Sequence, residues 1–226
     1  QLQNRQQQGR DGVWLDLPTT TEQVQAALRQ IGISSDNPQS LFISGYFAEE
    51  EKRFAIPYNL VLASNVDELN FLAARLETLS AGERAELNAA LQAPQSELFS
   101  IGRITDFPEN VDYYVHLPDV HGPAQLGDYY LNRSGMVDMP DEWKGGIDTA
   151  QFGRYVAQQE QGVFTEYGYL VKSGDEWQKV HEGQPVPEEY RVLSFPASEI
   201  LRDAANIPPP VQPETEPQKV IPIILN

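Results

Sequence analysis

The amino-acid sequence contains no cysteine, and this absence excludes several kinds of chemistry together. Disulfide cross-links, thiolate nucleophiles and cysteine-ligated metals are impossible in such a chain. The absence is typical of a reducing compartment, so we expect a cytoplasmic protein. The sequence also has no apolar run near the roughly 20 residues of a transmembrane helix, and its first residues lack the apolar core of a signal peptide.

Basic residues are scarce relative to acidic ones. The 226 residues include 16 Lys and Arg against 33 Asp and Glu, which gives a net charge of −17. Nucleic-acid-binding domains carry basic patches, and anionic membranes attract clusters of Lys and Arg. The balance therefore predicts neither nucleic acid nor membrane as a partner. Hydrophobic residues make up 40% of the chain, which is enough to bury a core.

Sequence signatures of catalysis are also rare. The chain has no glycine-rich phosphate-binding loop and no nucleophile elbow of the G-x-S-x-G type. His116, Asp119 and His121 are close enough in sequence for a metal site, but Pro118 and Gly122 favour an ordinary loop. We therefore expect no metal, no cofactor and no enzymatic activity.

Adjacent carboxylates leave one enzymatic alternative open. Acidic pairs occur at residues 141–142, 175–176 and 188–189. Glycosidases use two carboxylates that face each other across a cleft. Neighbours on an exposed loop are the simpler interpretation, so a carboxylate-dependent hydrolase is kept only as a less favoured alternative.

Strand and helix signals predict a compact α/β unit over residues 1–62. Thr19 and Glu22 have the spacing of a helix capping box, and apolar residues then recur at helical spacing until Gly32. Three short segments have the composition of strands: 13–17, 41–47 and 56–62.

Residues 63–108 are predicted to form an amphipathic helical hairpin. Asn65 starts the first helix, Ser80 starts the second, and Pro94 ends it. Acidic residues flank both helices and are candidates for an interaction surface: Asp67, Glu68, Glu77, Glu83 and Glu86.

Residues 109–200 combine aromatic and acidic residues and are predicted to form an α+β unit. One helix is expected at 126–131, entered near Pro123 and closed at Gly135, and another over 147–161. The side chains expected to face inward from the second helix are Phe152, Tyr155 and Val156. Strands are predicted at 111–116, 163–171 and 177–180, and segment 187–195 is predicted to form a short helical turn or loop followed by a last strand.

The tail, residues 201–226, holds six of the 17 prolines and is predicted to be extended. Fourteen of the seventeen excess negative charges lie before it, between residues 61 and 200. They are dispersed one or two at a time among apolar residues, which predicts a folded body with an acidic surface. The candidate acidic residues beyond the hairpin are Asp112, Asp119, Asp128, Asp138, Asp141, Glu142 and Asp148.

Several segments in a consistent order resemble the ArdA family of antirestriction proteins. The resemblance covers about residues 10–196, and no single motif carries it. The similar segments are 12–18, 31–33, 41–46, 67–70, 111–114, 126–131, 152–155, 164–169 and 187–196.

This resemblance implies an elongated α+β chain of three small α/β domains, 1–62, 63–108 and 109–200, followed by the proline-rich tail. Family members are acidic homodimers, encoded by mobile genetic elements, that imitate bent B-form DNA. They occupy the DNA-binding groove in the methyltransferase core of type I restriction-modification enzymes. The family's antirestriction motif, near its dimer interface, matches Leu126, Gly127, Asp128, Tyr129, Tyr130, Leu131 and Gly135.

The net charge independently suits imitation of DNA. Duplex DNA carries one charge per roughly 1.7 Å of its axis, so 17 charges correspond to about 29 Å of duplex. A surface of this kind attracts a basic groove at long range, and salt weakens the attraction. Affinity spread over many carboxylates predicts small effects from single substitutions. The alternatives are an acidic adaptor or inhibitor of a different DNA-binding protein, the hydrolase above, and a structural or secreted module.

Overall fold

The structure is a computed structural model that describes residues 1–7, 12–48, 53–94 and 96–198. Helices and two small antiparallel sheets share these ranges, in agreement with the predicted α+β class. The predicted proline-rich tail lies outside the described residues. Within the described ranges, no helix combines the length and apolarity that crossing a bilayer requires.

The amino-terminal elements form a two-stranded sheet with one helix. Strand β1 (Leu2–Asn4) pairs antiparallel with β2 (Leu41–Ile43), and helix α1 (Thr21–Gln30) connects them. The capping box of α1 joins Thr20 and Gln23, one residue beyond the predicted pair. The hydroxyl and amide side chains satisfy amide groups that the first helical turn leaves unpaired.

Two of the strands predicted in this region are wrong. In segment 13–17 only Val13 makes a bridge to β1, and segment 56–62 is largely helical, as α2 (Tyr58–Ala63). Short apolar runs fit either a strand or a buried helix, so their composition does not decide between the two. The predicted end of α1 is confirmed, because Gly32 adopts a left-handed φ of +67°.

The two helices predicted for residues 63–108 are confirmed, but within the described residues they do not pack along each other as a hairpin, because the first packs mainly against the short helix at Ile101–Thr105. Helix α3 (Val66–Glu77) and helix α4 (Ala81–Gln92) follow each other directly. Both begin with capping boxes at the predicted positions, Asn65 with Glu68 and Ser80 with Glu83. Their local hydrogen bonds explain why the sequence alone located both helices.

A short helix and two 3₁₀ turns connect helix α4 to the second sheet. Helix α5 (Ile101–Thr105) precedes turns at Phe107–Glu109 and Val111–Tyr113. Strand β3 (Tyr114–Leu117) begins only after them, so the strand predicted at 111–116 starts three residues later.

The predicted helices of the third region are confirmed. Helix α6 (Pro123–Asp128) continues into a π-helical segment, Tyr129–Arg133. A short helix, α7 (Asp141–Lys144), precedes α8 (Thr149–Glu160). Gly135 ends the π-helical segment with a left-handed φ of +71°.

The second sheet has three antiparallel strands in the order β3, β5 (Gly168–Lys172), β4 (Val163–Thr165). The segment predicted as one strand over 163–171 is a hairpin of β4 and β5. Gly168 has a φ of +118°, which permits the tight turn. The predicted partner strand 177–180 is wrong, because those described residues form no strand.

Two further predictions are wrong. Tyr155 is 60% exposed, because the face of α8 that packs inward is the one with Gly153. The helical turn predicted in segment 187–195 is present as a 3₁₀ turn at Glu188–Tyr190, but the strand predicted after it is absent from these described residues. Instead, the backbone amides of residues 192–193 donate hydrogen bonds to Asp67 Oδ1 at 2.7 Å each.

Buried apolar residues form three clusters. An amino-terminal cluster gathers β1, α1 and Val192, and a central cluster gathers α3, α4 and α5. A carboxy-terminal cluster contains Val120, Leu126 and Tyr169. Strand β5 contributes to two clusters, because successive side chains of a strand point to opposite faces: Tyr169 to the last and Leu170 to the central one. The division into three domains stays a prediction.

Candidate functional site

The described surface presents far more acidic than basic side chains. Fifteen Asp and Glu residues are exposed, against seven Lys and Arg. Six basic residues are also held in ion pairs within the chain. These pairs are Arg75 with Glu109, Arg103 with Glu97 and Glu182, Arg133 with Asp128, Lys144 with Asp141, Lys172 with Glu97, and Lys179 with Glu182. The surface that a partner meets is therefore predominantly negative.

Three acidic residues selected from the predicted hairpin have structural roles, two of them local and one long-range. Glu68 and Glu83 accept hydrogen bonds from the backbone amides that open α3 and α4, at 3.1 and 2.7 Å. The hydrogen bonds from Ser80 lower the pKa of Glu83, which keeps it ionised. Asp67 anchors residues 192–193, and Glu77 is exposed at the end of α3.

Glu86 differs from the other acids of α3 and α4 in its protonation. Burial raises its pKa to about 8, with repulsion from Glu83 and Asp112 adding to the effect. Burial disfavours the charged form of a carboxyl group, and nearby negative charges act in the same direction. At neutral pH, Glu86 therefore carries less negative charge than its neighbours.

The acidic residues selected from the third region lie mainly on the surface. Asp128 is half-buried, pairs with Arg133 at 3.0 Å and accepts a hydrogen bond from Asn132. Asp148 caps α8 by accepting a hydrogen bond from the amide of Gln151 at 3.0 Å. The exposed members of the set are Asp112, Asp119, Asp138, Asp141, Glu142 and Asp148.

The segment predicted as the antirestriction motif packs one face against α8 and the second sheet. Leu126 and Leu131 are buried, at 0% and 3% exposure. Gly127 lies against the backbone of α8, where any side chain on it would collide with the carbonyl oxygen of Thr149. Gly153 of α8 meets the carbonyl oxygen of Pro123 in the same way. Only glycine permits helices to approach this closely.

Glu160, at the end of α8, joins the π-helical segment to the sheet. It accepts hydrogen bonds from the hydroxyls of Tyr130 and Tyr169, the latter at 2.9 Å. Burial, together with these hydrogen bonds, raises the pKa of both tyrosines well above the ordinary range. Both hydroxyls therefore stay protonated and continue to donate. Sequence reasoning missed Glu160, because its partners lie far from it along the chain.

Asp106 is a second carboxylate that sequence reasoning missed. It is fully buried and accepts hydrogen bonds from the backbone amides of Val180, His181 and Glu182, at 3.3, 2.6 and 3.2 Å. These bonds hold the 180–182 segment against α5. No local pattern around Asp106 distinguishes it from an exposed acid.

One group in the described ranges has the spacing of a metal site. Ligand atoms of Asp106, Glu109 and His181 lie within 4.8 Å of one another. However, both oxygens of Asp106 accept backbone hydrogen bonds, and Glu109 pairs with Arg75. The two carboxylates are therefore engaged in contacts that stabilise the fold.

The sequence-selected metal candidates are not brought together. His116 Nε2 lies 2.7 Å from the carbonyl oxygen of Tyr167, inside the sheet. Asp119 and His121 are exposed on the following loop. In the described part of the chain these three residues form no ligand group.

Two open grooves mark the described surface. One, of about 350 Å³, lies between the sheet and the π-helical segment, and Glu160 is its single carboxylate. The other, of about 230 Å³, lies beside α1 and contains Asp16 alone. A glycosidase-type cleft needs two facing carboxylates, which neither groove provides.

Comparison with known proteins identifies the family of the chain. No curated protein sequence matches it. A family model described as antirestriction protein (ArdA) matches residues 8–171, which is more than half of the chain. The match includes helices α3 and α4, the α6 to α8 crossing and most of the exposed acidic residues. The chain therefore belongs to the ArdA family of antirestriction proteins.

Proposed function

We propose that this protein inhibits type I restriction-modification enzymes by occupying the DNA-binding groove of their methyltransferase core. The observation that carries the proposal is the excess of exposed acids among the described residues, fifteen against seven bases, on a chain of an antirestriction family. A groove that binds duplex DNA is lined with Lys and Arg, and a predominantly negative surface is complementary to it. The inhibition requires occupancy alone and no catalytic group.

Long-range attraction gives such an inhibitor two physical properties. It speeds association with the basic groove, and it weakens as salt screens the charges. Acidic residues without ion-pair partners contribute most, because their charge is not cancelled within the chain. Asp119, Asp138 and Glu142 are exposed and form no ion pair with a basic residue in the described part of the chain.

We also propose that the functional form is a homodimer, with the 126–135 segment near the contact between copies. The Gly127 and Gly153 crossing and the Tyr130 to Glu160 hydrogen bond support a rigid segment there. A rigid element loses little conformational freedom when a second copy binds.

The experiment is a competition assay with a type I methyltransferase bound to labelled duplex DNA. Purified protein is added at two salt concentrations, about 50 and 200 mM, across which charge-dominated binding changes greatly. Displacement of DNA at near-stoichiometric dimer, weaker at the higher salt, is the expected result. Unchanged DNA binding across several such enzymes would refute the proposal and favour an adaptor for a different DNA-binding protein.

Two variants of equal charge change test whether the acidic surface is responsible. The triple variant Asp119→Asn, Asp138→Asn and Glu142→Gln should weaken displacement by about tenfold and flatten its salt dependence, as loss of several charge contacts does. The matched control changes three exposed acids of the less charged amino-terminal region, Asp16→Asn, Glu22→Gln and Asp36→Asn. The control should have the smaller effect, whereas complete loss from Asp119→Asn alone would indicate one localised site.

A further inference from the structure

The segment between the π-helical turn and α8 has an unusual surface. Residues 136–148 include no buried residue, yet they contain the large apolar side chains of Met136 and Trp143. Trp143, on the short helix α7, is 68% exposed, and Met136 is 75% exposed.

The charges around Trp143 are almost all negative. Asp138, Glu142 and Asp148 are exposed on the same segment. Its single basic residue, Lys144, pairs with Asp141 at 2.9 Å and is only 20% exposed at the side chain. The segment therefore presents an exposed indole ring together with exposed carboxylates.

The fold can bury a tryptophan side chain, as Trp177 shows, but it leaves Trp143 exposed. Trp177 packs against the central cluster, with its ring 5.1 Å from that of Tyr113 in an edge-to-face arrangement. Burial of an exposed indole is favourable, and this free energy becomes available when a partner covers the ring. Tryptophan is also among the residues most enriched at the centres of binding interfaces.

We propose that Trp143 is the apolar anchor of the acidic surface and that it binds a guanidinium-bearing part of the enzyme's DNA-binding groove. This inference rests on the proposed function. Arginine stacks on indole faces through cation–π attraction, and the exposed carboxylates of the same segment attract the same cation. The carboxylates supply the salt-dependent attraction at long range. The indole supplies a short-range contribution that salt screens far less.

The two contributions can be separated by their salt dependence. In the competition assay, Trp143→Ala should weaken displacement of DNA by ten- to a hundredfold while leaving the slope of affinity against salt unchanged. Trp143→Phe should retain much of the affinity, because it keeps an aromatic face. The matched control is Trp14→Ala, which removes another exposed tryptophan, 57% exposed, from the less acidic amino-terminal region. The control should change affinity by less than twofold.

The competition and sedimentation results for these variants either support or overturn the role of Trp143. Unchanged displacement by Trp143→Ala, or an equal loss in Trp14→Ala, would overturn it. Sedimentation of Trp143→Ala should match that of the wild-type protein, and a change in self-association would instead assign the ring to contact between copies. Failure of the wild-type protein to displace DNA would overturn the proposed function itself and this inference with it.

Discussion

Gly127 and Gly153 lie backbone to backbone where helix α6 crosses helix α8. A Cβ atom built on Gly153 would lie 2.8 Å from the amide nitrogen of Gly127, and one on Gly127 would lie 3.1 Å from that of Gly153. Both would also collide with carbonyl oxygens of the opposite helix. The crossing therefore holds α6 directly on α8.

A methyl group at this crossing should destabilise the protein. Gly127→Ala and Gly153→Ala each force the helices apart, and we expect each to lower the free energy of unfolding by about 2 kcal/mol or more. The usual gain in helix propensity from Gly to Ala, about 1 kcal/mol, offsets only part of the loss. Thermal unfolding followed by circular dichroism measures the change.

The matched control for this prediction is Gly82→Ala in helix α4. No atom lies within 4 Å of a Cβ at Gly82, so the substitution should stabilise the protein by about 0.5–1 kcal/mol. A stabilising effect at Gly127 as well would contradict the close crossing.

The buried carboxylate of Asp106 should be sensitive to a neutral replacement. Asp106→Asn puts amide hydrogens against backbone amides that need an acceptor, and we expect a loss of about 2–4 kcal/mol in the free energy of unfolding. The 180–182 segment should loosen first, so trypsin should cleave faster after Lys179. Asp119→Asn, on an exposed loop, is the control and should change neither quantity.

The stability of the protein should depend on the protonation of Glu86. Its pKa rises from the ordinary 4.5 to about 8 in the folded protein, so the folded state binds the extra proton between these values. The contribution of this group is therefore fully present below about pH 4.5 and is lost as pH rises towards 8.

Glu86→Gln should remove this pH dependence. Allowing for solvent screening of the partly exposed group, we expect the variant to gain on the order of 1 kcal/mol over the wild type between pH 5 and pH 8. Thermal unfolding across this range checks the prediction. The control is Glu77→Gln, because Glu77 is an exposed residue at the end of α3. Parallel profiles of Glu86→Gln and wild type would show that Glu86 titrates normally in the folded protein.

The sequence by itself determined the features that depend on residues close together in the chain. Asn65 with Glu68 and Ser80 with Glu83 located helices α3 and α4, because a capping box closes within four residues. The acidic excess and the order of the family's segments pointed to an antirestriction protein in the same way, since composition and motif order need no tertiary structure.

Only the tertiary structure decided the features that join distant parts of the chain. Strand predictions failed at 56–62 and 163–171, because pairing and turn position depend on long-range partners. Asp67 and Asp106 are structural anchors, and Glu86 holds its proton, because amides and carboxyl groups from other segments surround them. The sequence around an aspartate or glutamate does not show whether the carboxyl group is exposed to water or buried among other groups. Burial and neighbouring groups, which decide its role and its pKa, depend on the tertiary structure.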